Sequence, residues 1–66
     1  MTLTINGKEE IVANGTTLAA LIQEKGLKPA VIVVEYNGTI VKKEEWPNII
    51  LKNTDCLEIV AFIGGG

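Results

Sequence analysis

The sequence predicts an α+β fold: a mixed sheet of about five strands with one helix across one face. Three observations carry that expectation. The pairs Asn6-Gly7 and Asn37-Gly38 stand between apolar runs, and Asn-Gly suits the two positive-φ positions of a type I′ hairpin. A single helical stripe, Leu18, Leu21 and Ile22, lies between the two hairpins. An apolar, strand-like run from Cys56 leads into Gly64-Gly65-Gly66.

Taken in order, residues 1–13 read as one antiparallel hairpin about Asn6-Gly7. In the first arm Leu3 and Ile5 alternate with Thr2 and Thr4, the period of a half-buried strand. In the second, Ile11 and Ala13 share one parity, with Glu10 and Val12 on the other. Asn14-Gly15 ends the hairpin, and Thr16 or Thr17 caps a helix over about 17–25. Lys25 suits the negative end of its dipole, and Gly26 offers a left-handed stop before Leu27 and Pro29. So short a helix does not hold alone in water and must pack on the sheet.

Residues 31–36 are rich in β-branched side chains and read as a buried strand, which Asn37-Gly38 turns into a second hairpin through 39–42. Residues 42–47 are charged and turn-like, with Trp46 as an apolar plug, and 49–51 read as a short strand. Lys52-Asn53-Thr54-Asp55 is a turn cluster, and the last strand spans 56–63. Consecutive hairpins are antiparallel and the helix joins them by a crossover, so the first and last strands come to lie centrally and parallel. That arrangement is the β-grasp, or ubiquitin-like, fold, with residues 1–63 as its body and 64–66 as a flexible tail.

Composition narrows the chemistry. With 66 residues there is room for one small domain, and 47% hydrophobic content makes it globular. There is no His and no Ser, so a Ser-His-Asp or Cys-His nucleophile is excluded within the chain. No His/Cys zinc site can be built, and Cys56, being alone, closes no intrachain disulfide. Six Lys and no Arg against eight acids give a net charge of −2, which argues against a nucleic-acid partner. No apolar stretch approaches the about 20 residues of a spanning helix. The start of the chain lacks a signal peptide's basic and apolar regions, so a cytoplasmic protein without a membrane partner is expected.

The tail is where chemistry remains possible. Glycine backbone threads slots too narrow for other residues, so a terminal Gly-Gly-Gly makes a flexible arm whose reactive group is the carboxylate of Gly66. Acyl adenylation by another enzyme is a route to activate it. A cloning scar or an ordinary frayed end would look the same from the glycines alone; the β-grasp pattern before them strengthens the functional reading.

The whole chain resembles the ThiS-type sulfur carrier proteins of thiamine biosynthesis. The resemblance rests on Leu3-Thr4-Ile5-Asn6-Gly7, on Val33-Val34-Glu35-Tyr36-Asn37-Gly38-Thr39-Ile40-Val41, and most of all on 55–66 with the ending Phe62-Ile63-Gly64-Gly65-Gly66. It implies a carrier that catalyses nothing and binds no cofactor. A ThiF-like adenylating enzyme, similar to ubiquitin-activating enzymes, would use ATP to adenylate Gly66. Sulfur from a cysteine desulfurase relay would displace AMP to leave a thiocarboxylate, and thiazole synthase would take that sulfur for the thiazole of thiamine. Alternatives are the small subunit of molybdopterin synthase, a ubiquitin-like modifier joined to lysines through Gly66, and a binding module whose glycines carry no function.

On the last strand, a solvent-facing Glu58 puts Cys56, Val60 and Phe62 on the outer side and Leu57, Ile59, Ala61 and Ile63 toward the helix. Val60 and Phe62, with Gly64 and Gly65, are then the expected partner-binding residues. Cys56 reads as a small residue at a strand start, because the resemblance puts sulfur on the terminal carboxylate. Glu9-Glu10, Lys42-Lys43 and Glu44-Glu45 read as solvated edges and turns, Asp55 as an acceptor for turn N–H groups, and Tyr36 and Trp46 as packing residues.

Overall fold

The computed structural model describes residues 1–62. Strands β1 (Thr2–Ile5) and β2 (Lys8–Ile11) form the first hairpin, α1 (Leu18–Glu24) follows, β3 (Ile32–Tyr36) and β4 (Thr39–Val41) form the second, and β5 (Cys56–Ala61) closes the sheet. The strand order is β2-β1-β5-β3-β4. β5 runs parallel to β1 (Thr4↔Cys56, Ile5↔Leu57) and antiparallel to β3 (Ile32↔Ala61 through Tyr36↔Leu57). The first and last strands therefore lie side by side within the sheet, as the crossover argument requires.

The turns follow their residues. Asn6 and Gly7 take φ 51° and 82°, and Asn37 and Gly38 take 48° and 88°, the two positive values of a type I′ turn. Asn14 does not: only Gly15 is positive, at 86°, and Thr16 N–H donates to the Ala13 carbonyl at 3.3 Å. That is the type II pattern, which leads the chain out of the hairpin into the helix.

Thr17 caps α1, its Oγ1 accepting from Ala20 N–H at 3.1 Å. At the other end Gly26 (φ 71°) and Leu27 donate to the carbonyls of Gln23 and Ile22 at 3.0 and 3.2 Å, a Schellman closure. The helix is shorter than the expected 17–25, because Thr17 and Lys25 are its caps. Lys25 does not rest on the dipole alone: its ammonium reaches both oxygens of Glu10, at 2.8 and 3.0 Å, and ties α1 to the first hairpin.

The core is one cluster under the helix. Leu3, Ile5, Ile32, Val34 and Leu57 rise from the sheet to meet Leu18, Leu21 and Ile22, with Val12, Trp46 and Leu51 closing the sides. Trp46 is the expected plug, and its indole N–H donates to the Val41 carbonyl at 3.1 Å, which satisfies the one polar atom it buries.

Several boundaries differ from expectation, each for a local reason. Pro29–Val31 is a 3-10 turn, so β3 starts at Ile32. Residues 43–48 are a 3-10 helix instead of an irregular turn, which drives Trp46 inward. Residues 49–51 do not form a strand. Leu18 N–H donates to the Ile49 carbonyl and Leu51 N–H to the Thr16 carbonyl, both at 2.9 Å, leaving an isolated bridge to the cap of α1. β2 ends at Ile11, and β5 ends at Ala61 instead of running on through Phe62; Ile63, the expected last residue of the strand, lies outside the described residues.

Candidate functional site

β5 is the last described strand, and the sequence leads from it to the expected site residues Gly64, Gly65 and Gly66. Alternation sends Leu57 and Ile59 to the helix side and Cys56, Glu58, Val60 and Phe62 outward. Val60 and Phe62 are 58% and 64% exposed, on the outer side where strand parity puts them. Ala61 has the inward parity yet is exposed, and it lines an open hollow with Leu27, Ile32 and Ile59.

The neighbouring strands enlarge the patch. Val33 lies opposite Val60, and Glu35 lies opposite both Glu58 and Ile40. Ile40 is 67% exposed. Val33, Ile40, Val60 and Phe62 thus line a shallow apolar hollow beside the Glu35–Glu58 pair. Two carboxylates directly across a sheet repel and cost a little stability in the free molecule. Sequence reading missed Val33, Glu35 and Ile40, since their membership depends on the β3–β5 and β3–β4 registers; once β5 is placed beside β3, period-2 parity identifies them.

At the far end of β5, Asp55 gathers the connections. Its Oδ2 accepts from Tyr36 O–H at 2.7 Å and Lys52 N–H at 2.8 Å, and its Oδ1 accepts from Asn37 Nδ2 at 3.1 Å. Burial alone raises the Asp55 carboxyl, but these hydrogen bonds together outweigh it and hold the group below its ordinary value. The Tyr36 phenol is raised, first by its bond to Asp55, then by burial and by the nearby charge. The cluster is structural: it is fully partnered and sits at the end of β5 away from the tail. Cys56 beside it is a free thiol on the exposed outer face, its N–H held by Asn37 Oδ1 at 2.8 Å.

Gly64, Gly65 and Gly66, the remaining expected site residues, lie outside the described residues. Among the described residues, no three His, Cys, Asp or Glu side chains come together to hold a metal, and no helix is long and apolar enough to cross a membrane. What the described part offers is an apolar face on the strand that carries the tail.

Comparison with known proteins decides the family. The ThiS family model matches residues 2–66, nearly the whole chain and all three terminal glycines. The chain belongs to the ThiS family. Its ThiS relatives include the sulfur carrier protein ThiS of Bacillus subtilis, 35% identical over 97% of this chain and 98% of the relative. The crystal structure of a thiamine biosynthesis protein (ThiS) from Geobacter metallireducens superposes with a TM-score of 0.85 at 30% identity, covering 100% of both chains. That likeness establishes the ubiquitin-like β-grasp for this ThiS-family chain. A thiazole synthase from Paramagnetospirillum magneticum is 42% identical over the full chain, which spans only 20% of that enzyme's length.

Proposed function

We propose that the chain is a sulfur carrier for thiamine biosynthesis whose working group is the carboxylate of Gly66, borne on an arm of residues 64–66 beyond a β-grasp body of 1–63. The observation that carries this reading is the family match through residue 66, together with the near-complete overlap with the Bacillus carrier. A carboxylate oxygen of Gly66 attacks the α-phosphorus of ATP on a ThiF-like enzyme, and pyrophosphate leaves. A persulfide from a cysteine desulfurase relay then attacks the acyl carbon and AMP leaves; a thiol reductant cleaves the S–S bond of the resulting acyl disulfide, is itself oxidised to a disulfide, and a thiocarboxylate remains on Gly66. The body catalyses no step and binds no cofactor; its outer face of Val60 and Phe62 docks the activating enzyme, while Gly64 and Gly65 thread the enzyme's narrow channel.

Thiazole synthase is the favoured acceptor, because a segment equivalent to this chain occupies a fifth of one such enzyme's length. Transfer from carrier to enzyme then resembles transfer within one polypeptide, where effective concentration is high. Intact-mass spectrometry tests the reading: purified protein ending at Gly66 is incubated with the activating enzyme, ATP and a sulfur donor. The expected product is heavier by one oxygen-to-sulfur exchange, localised to Gly66. An unchanged mass with an enzyme active on another carrier would refute it. Reconstitution with thiazole synthase then decides the acceptor.

A further inference from the structure

We infer that Asn6 is a positioning residue for the carboxylate chemistry proposed above, on which this inference rests: its side-chain amide clamps β5 at Ile59 and so fixes the strand that delivers Gly66. β1 pairs with β5 only at Thr4↔Cys56 and Ile5↔Leu57. At Asn6 the main chain takes φ 51° and turns away into the hairpin, after its N–H has donated to the Leu57 carbonyl at 2.9 Å. The side chain continues where the backbone stops. Asn6 Oδ1 accepts from Ile59 N–H at 2.7 Å, and Asn6 Nδ2 donates to the Ile59 carbonyl at 3.2 Å. A primary amide offers the same donor and acceptor as a peptide unit, so Asn6 stands in for one more paired residue of β1.

On its other edge β5 is paired with β3 as far as Ala61, and Phe62 N–H donates to the Val31 carbonyl at 2.7 Å. On the β1 side the clamp is the last attachment among the described residues, and beyond it a hollow opens between Lys8, Leu27, Ile59 and Ala61. Without the clamp, β5 past Leu57 is held along one edge only. Residue choice at position 6 is tightly constrained. Asn and Asp are the side chains that tolerate positive φ and bond locally, and Asp lacks the donor that the Ile59 carbonyl needs.

Adenylation requires a carboxylate oxygen to be aligned with a phosphorus atom, and small misplacements are costly in rate. A second attachment at Ile59 opposes fraying of β5 from β3, and fraying would lengthen the chain that must be ordered in that step. Loss of the clamp therefore acts on turnover more than on docking, which uses the outer face.

Two variants separate this role from the turn itself. Asn6→Gly keeps a type I′ turn, since Gly-Gly is also favoured there, and removes the amide. Asn6→Asp keeps the acceptor but sets a carboxylate oxygen against the Ile59 carbonyl. Both are compared with wild type by hydrogen exchange at Ile59, thermal melting, and carrier-dependent ATP–pyrophosphate exchange on the ThiF-like enzyme of the same organism. Ile59 exchange is expected to rise about tenfold in folded Asn6→Gly. Adenylation kcat is expected to fall about threefold or more, with KM for the carrier within about twofold. Wild-type kcat in either folded variant, or a raised KM with kcat unchanged, overturns the inference. If wild-type carrier is itself not adenylated, the sulfur-carrier reading fails and the inference falls with it; adenylated wild type with indifferent variants removes the inference alone.

Discussion

Asp55 is buried and accepts three hydrogen bonds, from Tyr36, Asn37 and Lys52, so its replacement leaves donors stranded. Asp55→Ala is expected to cost about 2–3 kcal/mol in denaturant unfolding. The pH dependence follows from the two shifted groups. Asp55 lies low in the fold, so its contribution is complete above the unfolded carboxyl value of about 4 and is lost as pH falls toward the folded one. Tyr36 lies high, so its contribution is complete below about 10 and is lost as pH rises through the folded value. Melting temperatures across the pH range are expected to show both limbs in wild type. Both should flatten in Asp55→Asn, because the bond to Asp55 is also the chief cause of the Tyr36 shift. A second residue-scale expectation concerns the three Asn-Gly pairs, each chemically able to deamidate by attack of the glycine nitrogen on the side-chain amide, with loss of ammonia. Asn6 and Asn37 have both amide atoms engaged, whereas exposed Asn14 makes no side-chain hydrogen bond among the described residues. Peptide mapping after incubation at mildly alkaline pH should find modification at Asn14 first; equal rates at all three positions would contradict the protection.

Among the elements, α1 depends visibly on its two ends. Its seven residues are below the length at which a helix persists in water, so its caps matter. Thr17→Ala is expected to cost about 1 kcal/mol, and Gly26→Ala about 1–2 kcal/mol because Gly26 sits at φ 71°, both read from the melting midpoint. These caps were legible in the sequence, as were both type I′ hairpins, because Thr, Asn and Gly act through local geometry that needs no tertiary partner. The 3-10 helix around Pro47 and the isolated bridge at Ile50 were not legible. Residues 49–51 have strand-like composition, and only the approach of Thr16 and Leu18 shows that one bridge is all they make. The same division runs through the candidate site. Period-2 parity placed Val60 and Phe62 outward, whereas Val33, Glu35, Ile40 and the reach of Asn6 to Ile59 depend on strand register, which a single sequence does not encode locally.

For the whole molecule, the proposed docking face and the core can be separated by mutation because they occupy opposite sides of one sheet. Phe62→Ala is expected to leave the melting temperature nearly unchanged and to raise KM in adenylation about tenfold, since Phe62 is 64% exposed. An unaltered KM would remove Phe62 from the interface. Leu57→Ala, on the inner side of β5, is expected to cost about 3 kcal/mol, since Leu57 is fully buried. Cys56→Ser should still acquire sulfur at Gly66, and failure to do so would give the thiol a part in the transfer. The parallel pairing of β1 with β5 also has a consequence for synthesis. Translation delivers the five strands from one terminus to the other, yet the third position in the sheet belongs to the strand made last. The two hairpins emerge from the ribosome with a gap between them that no earlier segment fills. The sheet closes only when 56–61 are free, and only Phe62, Ile63 and the three glycines follow them in the sequence. A chain broken off before that point therefore lacks both the closed sheet and the glycines proposed to be charged, so under the proposed function an unfinished chain presents nothing to load.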